Sequence, residues 1–459
     1  MQADRDGPLV VLRKRENMDP SIKEYAEKQA SLCEYHDAIS EELFTQYGVN
    51  RGLRDLKGNG VLTGLTNISK IIAFKNIDGE RTPVEGELWY RGYHINTLVK
   101  SVKPDEFGYE KTAYLLIFGE LPTAEQEQEF KKILALSRRL PTNFTRDVIM
   151  KAPTRDVMNS MTRSILTLAS YDRNATVLTV ENCLRQCIQL IAEFPMLACY
   201  GYHAYNHYEN DESMYIHRPD PELSAAQNFL RMIRPDNTYT DLEARVLDIA
   251  MMIHMEHGGG NNSTFTTRVV TSAGTDTYSA IAAAMSSLKG SKHGGANIKV
   301  MEMMNDIKMH VKDISDRDEI HAYVSRILNK EAFDRQGLVY GLGHAVYSLS
   351  DPRERIFHSF VRDLAAAKGR DKDMDFYEMV ADEAISLICE KRRIYKGVCP
   401  NVDFYSGFVY DLLNIPEELF TPLFAIARIV GWSAHRIEEL IGMNKIIRPA
   451  YMSVMEEKE

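Results

Sequence analysis

The feature that most constrains this 459-residue sequence is the spacing of its apolar residues, which recur mostly three and four positions apart. Such spacing puts apolar side chains along one face of an α-helix. Glycine and proline, which interrupt helices, number only 27 and 16. The pattern predicts an all-α protein. Strands do not alternate with helices along the sequence, which argues against a doubly wound sheet.

Helix boundaries can be predicted at three places. Thr123 and Thr240 each open a capping-box pattern, with Gln or Glu three residues later. The helix after Thr240 should end between residues 254 and 257, where three glycines follow. A third helix, dense in Ala and Ser, is predicted from Tyr278 to Leu288.

A small β-ribbon is the one exception to the helical pattern. Two strand-like runs between about residues 70 and 90 flank Asp78-Gly79, a dipeptide typical of a tight hairpin turn. Two charged stretches, residues 209–221 and the region around residue 370, are predicted to be exposed loops.

Charge and cysteine content limit the partners and the compartment. Lys and Arg number 55 against 65 Asp and Glu, so a net charge of −10 makes a nucleic-acid partner unexpected. The six cysteines form no C-x-x-C pair, and Cys183 and Cys187 fall at helical spacing among apolar residues, which predicts reduced, buried thiols. The sequence shows no run suited to a membrane span and no targeting pattern, so no membrane partner and a cytoplasmic location are expected.

Residues able to do chemistry concentrate in the second half of the sequence. His257, His293 and His344 each stand beside glycines, and Asp403 lies in the motif NVDFYSG. Glycine lets a ligand or backbone approach an imidazole closely, which an ordinary packed histidine does not need. A single such histidine would be read as structural, but three in similar settings indicate a site.

Arginines follow the same trend. Arg428 is flanked by Ala, Ile and Val, so it is predicted to be buried against an anion or a carboxylate. A planar guanidinium can donate two parallel hydrogen bonds to one carboxylate. Arg353 and Arg448 also lie in distinctive settings, and several arginines with histidines suggest a small dianion as the ligand.

Other site chemistries have weaker support in the sequence. A phosphate-binding G-x-x-x-x-G-K-[ST] motif and a G-x-S-x-G elbow are absent from the sequence. His254 and His257 are three apart with Glu256 between them, which is a poor match to zinc-binding spacings.

Seven short motifs, in this order and spacing, resemble the citrate synthase family. They are HGGGNNS from His257, KHGGAN from Lys292, GLGHAVY from Gly341, DPR from Asp351, NVDFYSG from Asn401, Ala427-Arg428 and Arg448-Pro449. The resemblance runs from about Gly60 to Tyr451 and implies an almost wholly helical homodimer. It also implies two domains: a large one of residues 1–293, to which 415–459 return, and a small mobile one of residues 294–414 that closes over the substrates.

The resemblance further implies an acyltransferase that condenses acetyl-CoA with oxaloacetate, hydrolyses the thioester and releases citrate and CoA. It implies no permanently bound cofactor and no metal. The residues implied to hold oxaloacetate are His257, Asn261, His344, Arg353 and Arg428, with Arg448 reaching in from the partner subunit. The implied catalytic residues are His293, His344 and Asp403. The residues implied to contact CoA are Leu338, Gly341, Gly343 and Lys396.

Physical chemistry is consistent with these implied roles. A thioester methyl is a very weak carbon acid, so a carboxylate base needs a fixed donor for the developing enolate oxygen. We therefore expect Asp403 to be the base and a neutral His293 to be the donor, with His344 polarising the ketone. Two positions depart from the usual family pattern: Gly258 and Ile298 stand where Glu is frequent, and they could alter how His257 and His293 are supported.

Three alternatives remain open from the sequence alone. Propionyl-CoA could replace acetyl-CoA and give 2-methylcitrate, because one methylene changes pocket fit by only about 1–3 kcal/mol. A metal-dependent hydrolase could use His254, His257 and His293. A catalytically silent helical dimer is the third alternative, although the presence of all three expected catalytic residues argues against it.

Overall fold

The computed structural model describes residues 20–50, 52–55, 60–343, 346–392, 397–442 and 445–455. The chain forms two compact units, residues 1–65 and residues 66–459. In the first unit, helices α1 (Pro20–Asp37) and α2 (Glu41–Gln46) are largely exposed. Ser40 caps α2 by accepting a hydrogen bond from the Glu42 backbone N–H.

The predicted β-ribbon is confirmed at the start of the second unit. Strands β1 (Ser69–Ile77) and β2 (Glu80–Tyr90) pair antiparallel, and the short β3 (Tyr93–His94), which the sequence did not indicate, pairs with the end of β2. Asp78 and Gly79 form the turn with φ of 53° and 85°, the backbone twist that a two-residue hairpin needs.

The rest of the second unit is helical, which confirms the all-α prediction for the described residues. Its helices are α3 (Ile95–Ser101), α4 (Tyr109–Phe118), α5 (Ala124–Ser137), α6 (Val157–Leu168), α7 (Val180–Glu209), α8 (Ala225–Ile233), α9 (Asp241–His254), α10 (Asn262–Ser272), α11 (Thr277–Leu288), α12 (Ala296–His310), α13 (Arg317–Leu328), α14 (Pro352–Ala367), α15 (Asp371–Arg392), α16 (Val402–Leu412) and α17 (Phe420–Gly442). Single turns of other helix types occur at Thr145–Ile149, Ala169–Tyr171 and Glu417–Leu419.

The predicted helix starts are confirmed. Thr123 caps α5 and Thr240 caps α9, each with a complete capping box in which the third helical residue bonds back to the cap backbone. Helix α9 ends at His254, before the three glycines, and α11 matches the predicted Ala/Ser-rich helix to within one residue.

The core lies around α7 and α17, which pack against each other. All residues of α17 from Phe420 to Ile437 are buried, so this helix is surrounded by protein on every side. Cys183 and Cys187 are buried in α7, as their spacing predicted. No helix in the described part of the chain is long and apolar enough to cross a bilayer.

The two predicted loops differ in outcome. Residues 211–220 have no regular secondary structure, as expected. The prediction around residue 370 was wrong in extent, because α14 continues to Ala367 and α15 already begins at Asp371. The charged residues that suggested a loop instead form hydrogen bonds at the helix ends. Arg370 Nε donates to Asp373 at 2.5 Å, and its Nη1 donates to Asp411 at 2.6 Å.

Candidate active site

His257 lies in the turn that leaves the C-terminus of α9. Its imidazole is buried, with Nε2 3.3 Å from the Tyr347 hydroxyl oxygen. The next residue, Gly258, has φ of 85°, and a Cβ there would lie 2.9 Å from Ile71 Cδ1. The departure from the family's frequent Glu is thus fitted to this backbone, because a side chain would be strained and would also clash.

His293 follows α11 in the turn before α12, and it faces the N-terminal turn of α10. Its Nε2 lies 3.0 Å from Ser263 Oγ. Ser263 Oγ also accepts a hydrogen bond from the Trp432 indole N–H at 3.1 Å and donates one to Asn261 Oδ1 at 2.9 Å. Burial, with a smaller contribution from the positive charge of Arg428, lowers the pKa of His293 to about 4. His293 is therefore neutral at pH 7.

Arg353 and Asp351 form a buried pair at the start of α14. Arg353 donates from Nε and Nη2 to the two oxygens of Asp351, at 3.0 and 2.7 Å. Asp351 also caps α14 through the Arg353 backbone N–H and accepts from the Val402 N–H at 3.3 Å. Burial acts to lower the pKa of Arg353, but the adjacent Asp351 outweighs it and raises that pKa, so the guanidinium stays charged.

Arg428 is fully buried within α17, as predicted. Its Nε donates to the carbonyl oxygen of His254 at 2.6 Å, and its Cζ lies 4.7 Å from the centre of the Phe424 ring. Among the described residues no carboxylate lies within ion-pair distance, and Nη1 has no hydrogen-bond partner. Burial lowers the pKa of Arg428 to about 10, so this cation is charged at pH 7 and able to bind an anion.

Asp403 is the second residue of α16. Its backbone N–H donates to the Asn401 side chain at 2.9 Å, which caps the helix. Burial raises the pKa of Asp403 to about 6, although Arg353 and Arg428 oppose this rise. The carboxyl group has no hydrogen-bond donor among the described residues, so no structural hydrogen bond lowers its basicity.

Asn401 also ties Asp403 to the segment that precedes His344. Its backbone N–H donates to the Gly341 carbonyl at 2.9 Å, and its side-chain amide donates to the Gly343 carbonyl at 2.8 Å. Leu342 and Pro400 form an isolated antiparallel bridge in the same place. His344 and Lys396 themselves lie outside the described residues.

Four of the predicted residues lie close enough together to affect one another's charge: His293, Arg353, Asp403 and Arg428. Arg428 and Arg353 both act on the pKa of Asp403, and Arg428 also acts on that of His293. Two predicted residues, Leu338 and Arg448, are exposed instead. Leu338 has 45% of its surface accessible, which suits contact with a ligand from outside and not a place in the buried centre.

Some residues of the site received no role from the sequence. Ser263 contacts His293, Trp432 donates to Ser263, Tyr347 contacts His257, and Asp351 pairs with Arg353. The available signal for Trp432 was its position four residues after Arg428, on the same face of α17. The other three lie inside motifs already recognised, but sequence does not say which of their atoms meet.

The geometry around His254 does not favour a metal site. Its ring packs edge-on against Phe424 with centroids 4.6 Å apart, and its Nδ1 lies 2.8 Å from the Ala250 carbonyl oxygen. Burial lowers the pKa of His254 to about 3. Within the described ranges, no group of three or more His, Cys, Asp or Glu side chains is placed to hold a metal ion.

Comparisons with known proteins identify the family to which this chain is related. The family described as "Citrate synthase, C-terminal domain" matches residues 56–450. Citrate synthase from Synechocystis sp. is 34% identical over 384 residues, which is 83% of this chain and 87% of the relative. 2-Methylcitrate synthase 1 from Corynebacterium glutamicum is 31% identical over 407 residues, 87% of this chain and 95% of the relative.

The fold of this chain is also similar to that of a solved structure. The ternary complex of Thermoplasma acidophilum citrate synthase with carboxymethyl coenzyme A and oxaloacetate superposes with a TM-score of 0.71 at 25% identity. The match covers 87% of this chain and 96% of that one. The helical fold and the clustered His, Arg and Asp side chains define an enzyme of carbon–carbon condensation type. This chain belongs to the citrate synthase family.

Proposed function

We propose that this protein condenses acetyl-CoA with oxaloacetate and hydrolyses the resulting thioester to citrate and CoA, as an acyltransferase that converts the acyl group into an alkyl group. The observation that carries the proposal is the Asp403 carboxyl group. It is half-buried and has no hydrogen-bond donor among the described residues, its pKa is raised to about 6, and two buried arginines act on it. Such a group is ionised at pH 7 yet remains a competent base.

In the first step, Asp403 removes a proton from the methyl group of the thioester. The electrons of the C–H bond move into the carbonyl, so negative charge develops on the thioester oxygen. A neutral His293 donates a hydrogen bond to that oxygen. Ser263 Oγ has one hydrogen and two acceptors within reach, Asn261 Oδ1 at 2.9 Å and His293 Nε2 at 3.0 Å. In this proposal the hydrogen is donated to His293 Nε2 once Asn261 binds oxaloacetate, so the ring proton resides on Nδ1 and is available to the enolate oxygen.

Oxaloacetate binds through cations and hydrogen-bond donors in this proposal. Arg428 offers an uncommitted Nη1, and Arg353 is held rigid by Asp351. His257 and Asn261 complete the contacts on the α9–α10 side. His344, whose role rests on the family resemblance, polarises the ketone while the new carbon–carbon bond forms.

CoA contacts and domain closure are part of the same proposal. Residues 294–414 contain α12 to α16, and Tyr377 of α15 stacks on Phe408 of α16 at 4.5 Å between ring centres, which supports their movement as one small domain. Residues 1–293 and 415–459 would form the large domain. Leu338, Gly341, Gly343 and Lys396 would contact CoA on the small-domain side, so that closure brings the thioester to Asp403.

We also propose a cytoplasmic homodimer in which Arg448 completes the site of the partner subunit. The exposed position of Arg448 supports this assignment, because a buried internal partner would have made it part of its own subunit's core. The co-substrates are small molecules, without a permanently bound cofactor, a nucleic acid or a membrane as partner.

A second candidate is the 2-methylcitrate synthase reaction with propionyl-CoA. It is favoured by the 31% identity to the Corynebacterium enzyme of that name, which is close to the value for the citrate synthases. One methylene in a pocket is worth about 1–3 kcal/mol, so both reactions are compatible with one fold.

Free thiol release from acyl-CoAs in the presence of oxaloacetate tests the proposal. Acetyl-CoA and propionyl-CoA are compared, with mass-spectrometric identification of the tricarboxylic acid formed. We expect oxaloacetate-dependent thiol release with at least one of them, abolished in Asp403→Asn and kept in Asp411→Asn on the same helix. Thiol release that does not depend on oxaloacetate, or none with either thioester, contradicts the proposal.

A further inference from the structure

The turn that carries His257 lies along one face of α17. Arg428 Nε donates to the His254 carbonyl at 2.6 Å, and His435 Nε2 lies 3.0 Å from Glu256 Oε1. Arg428 and His435 are seven residues apart, two helical turns, and so occupy the same face. The backbone before His257 is therefore attached to the same helix that supplies Arg428.

Between these two attachments the turn touches the backbone of α17. A Cβ placed on Gly431 would lie 2.3 Å from the Met255 carbonyl oxygen and 2.5 Å from Glu256 Oε2. Any side chain at this position would push residues 255 and 256 away from the helix. The contact is thus close enough to fix the distance between α17 and the turn.

Glu256 gathers three donors at one oxygen. Its Oε1 accepts from the Ser69 hydroxyl at 2.9 Å and from the Gly258 backbone N–H at 2.6 Å, in addition to the contact with His435. Both Glu256 and His435 have no accessible surface. Burial acts to raise the pKa of Glu256, but His435 and then Arg428 outweigh it, and the net shift is downward.

These contacts surround His257 on both sides in sequence. Glu256 precedes it, and the Gly258 N–H that follows it is held by the same carboxylate. The His435 ring also supports the next residue, since a Cβ on Gly259 would lie 3.4 Å from His435 Cε1. The φ and ψ angles that direct the His257 side chain are thereby restrained by one carboxylate–imidazole pair.

We propose that His435, acting through Glu256, is a positioning residue that fixes the direction of the His257 imidazole toward oxaloacetate. This deepens the proposed function and rests on it for the identity of the ligand. Stability alone does not account for the pair, because packed apolar side chains of similar volume are often as stabilising as a buried polar pair. Unlike apolar contacts, the hydrogen bonds of this pair are directional, so they fix the position of the turn precisely.

The test compares two substitutions of His435 with a matched control. His435→Phe keeps the aromatic volume and removes the donor, whereas His435→Gln keeps a donor. The control is His203→Phe, because His203 is also buried, and its Nε2 lies 2.9 Å from the Met232 carbonyl, away from the site. The measurements are the affinity for oxaloacetate by calorimetry, KM and kcat by thiol release, and the melting temperature.

We expect His435→Phe to weaken oxaloacetate binding about tenfold or more, with a smaller change in kcat. His435→Gln should recover most of the loss. His203→Phe should lower the melting temperature while leaving oxaloacetate affinity within about twofold of the unmodified protein. Unchanged affinity in folded His435→Phe, or equal losses in His435→Phe and His203→Phe, overturns the proposal.

Two further arms keep the test decisive. If His435→Phe does not fold, Glu256→Gln removes the charge at nearly constant shape, and the same loss of oxaloacetate affinity is expected from it; unchanged affinity counts against the pair. If the unmodified protein releases no thiol, the proposed reaction fails. The calorimetric comparison with oxaloacetate still judges the positioning role, so the two failures are distinguishable.

Discussion

Ser263 Oγ and His293 Nε2 are 3.0 Å apart, and this contact joins the first turn of α10 to the turn before α12. The serine hydroxyl has one hydrogen and two lone pairs, and the Trp432 N–H already occupies one lone pair. The one hydroxyl hydrogen can be donated to Asn261 Oδ1 or to His293 Nε2, and its direction sets whether the neutral imidazole carries its proton on Nε2 or on Nδ1. Which nitrogen carries it determines whether an N–H points at the enolate oxygen.

Ser263→Ala should lower kcat by about ten- to a hundredfold and leave oxaloacetate affinity within about twofold, because the imidazole loses its fixed tautomer but Arg428 and Arg353 remain. Steady-state kinetics and calorimetry give both values. Ser164→Ala, which removes a buried hydroxyl in α6, is the control and should keep kcat. Equal kcat for the two variants would remove Ser263 from the proposed mechanism.

Asp403→Asn should lower kcat at least about a hundredfold, since the amide has the same shape but cannot accept the methyl proton. Oxaloacetate affinity should be largely kept. Asp411→Asn, two turns later in α16, is the control because Asp411 binds Arg370 and not the site. Near-normal turnover in a folded Asp403→Asn protein would exclude Asp403 as the base.

The pH profile should show one acidic limb. Asp403 must be ionised to act, and its pKa is raised to about 6, so log kcat/KM should fall with a slope near one as the pH drops below that value. His293, with a pKa lowered to about 4, stays neutral through this range and adds no second limb above pH 5. Rates from pH 5 to 8, with circular dichroism to verify folding, make the measurement. A flat profile between pH 5 and 7 contradicts the assignment.

Arg428→Lys should weaken oxaloacetate binding by about a hundredfold although the charge is kept, because an ammonium cannot make a planar two-point contact. It would also give up the Nε contact with the His254 carbonyl. Arg436→Lys is the matched control: Arg436 is equally buried in α17 but donates to Thr271, Thr275 and Thr277. Calorimetric affinity that is unchanged in Arg428→Lys would show that this arginine has an internal role only.

Shared active sites predict complementation between inactive subunits. Asp403→Asn and Arg448→Ala proteins are each expected to be inactive, but in a mixed dimer one site carries both lesions and the other carries neither. Equal mixing should restore about a quarter of the unmodified activity, with subunit exchange verified by native mass spectrometry. If exchange is complete and the mixture stays inactive, Arg448 does not act across the interface.

Much of the fold could be predicted from local patterns. The capping boxes at Thr123 and Thr240, the hairpin at Asp78-Gly79 and the Ala/Ser-rich helix all depend on residues within a few positions of one another, and each was found where expected. The loop predicted near residue 370 failed because Arg370 bonds to Asp411, which is distant in sequence, and charge alone does not distinguish a solvated loop from a paired helix end.

The sequence by itself determined which residues are the candidates for the chemistry, because motifs and helical periodicity are local properties of the chain. The burial of Arg428 followed from its apolar neighbours in the same way. Only the tertiary structure decided the partners: Ser263 meets Trp432 across 169 positions, and Glu256 meets His435 across 179. Hydrogen bonds depend on separations of a few tenths of an ångström, and those are set by how α17 packs against the α9–α10 turn, which periodicity does not encode.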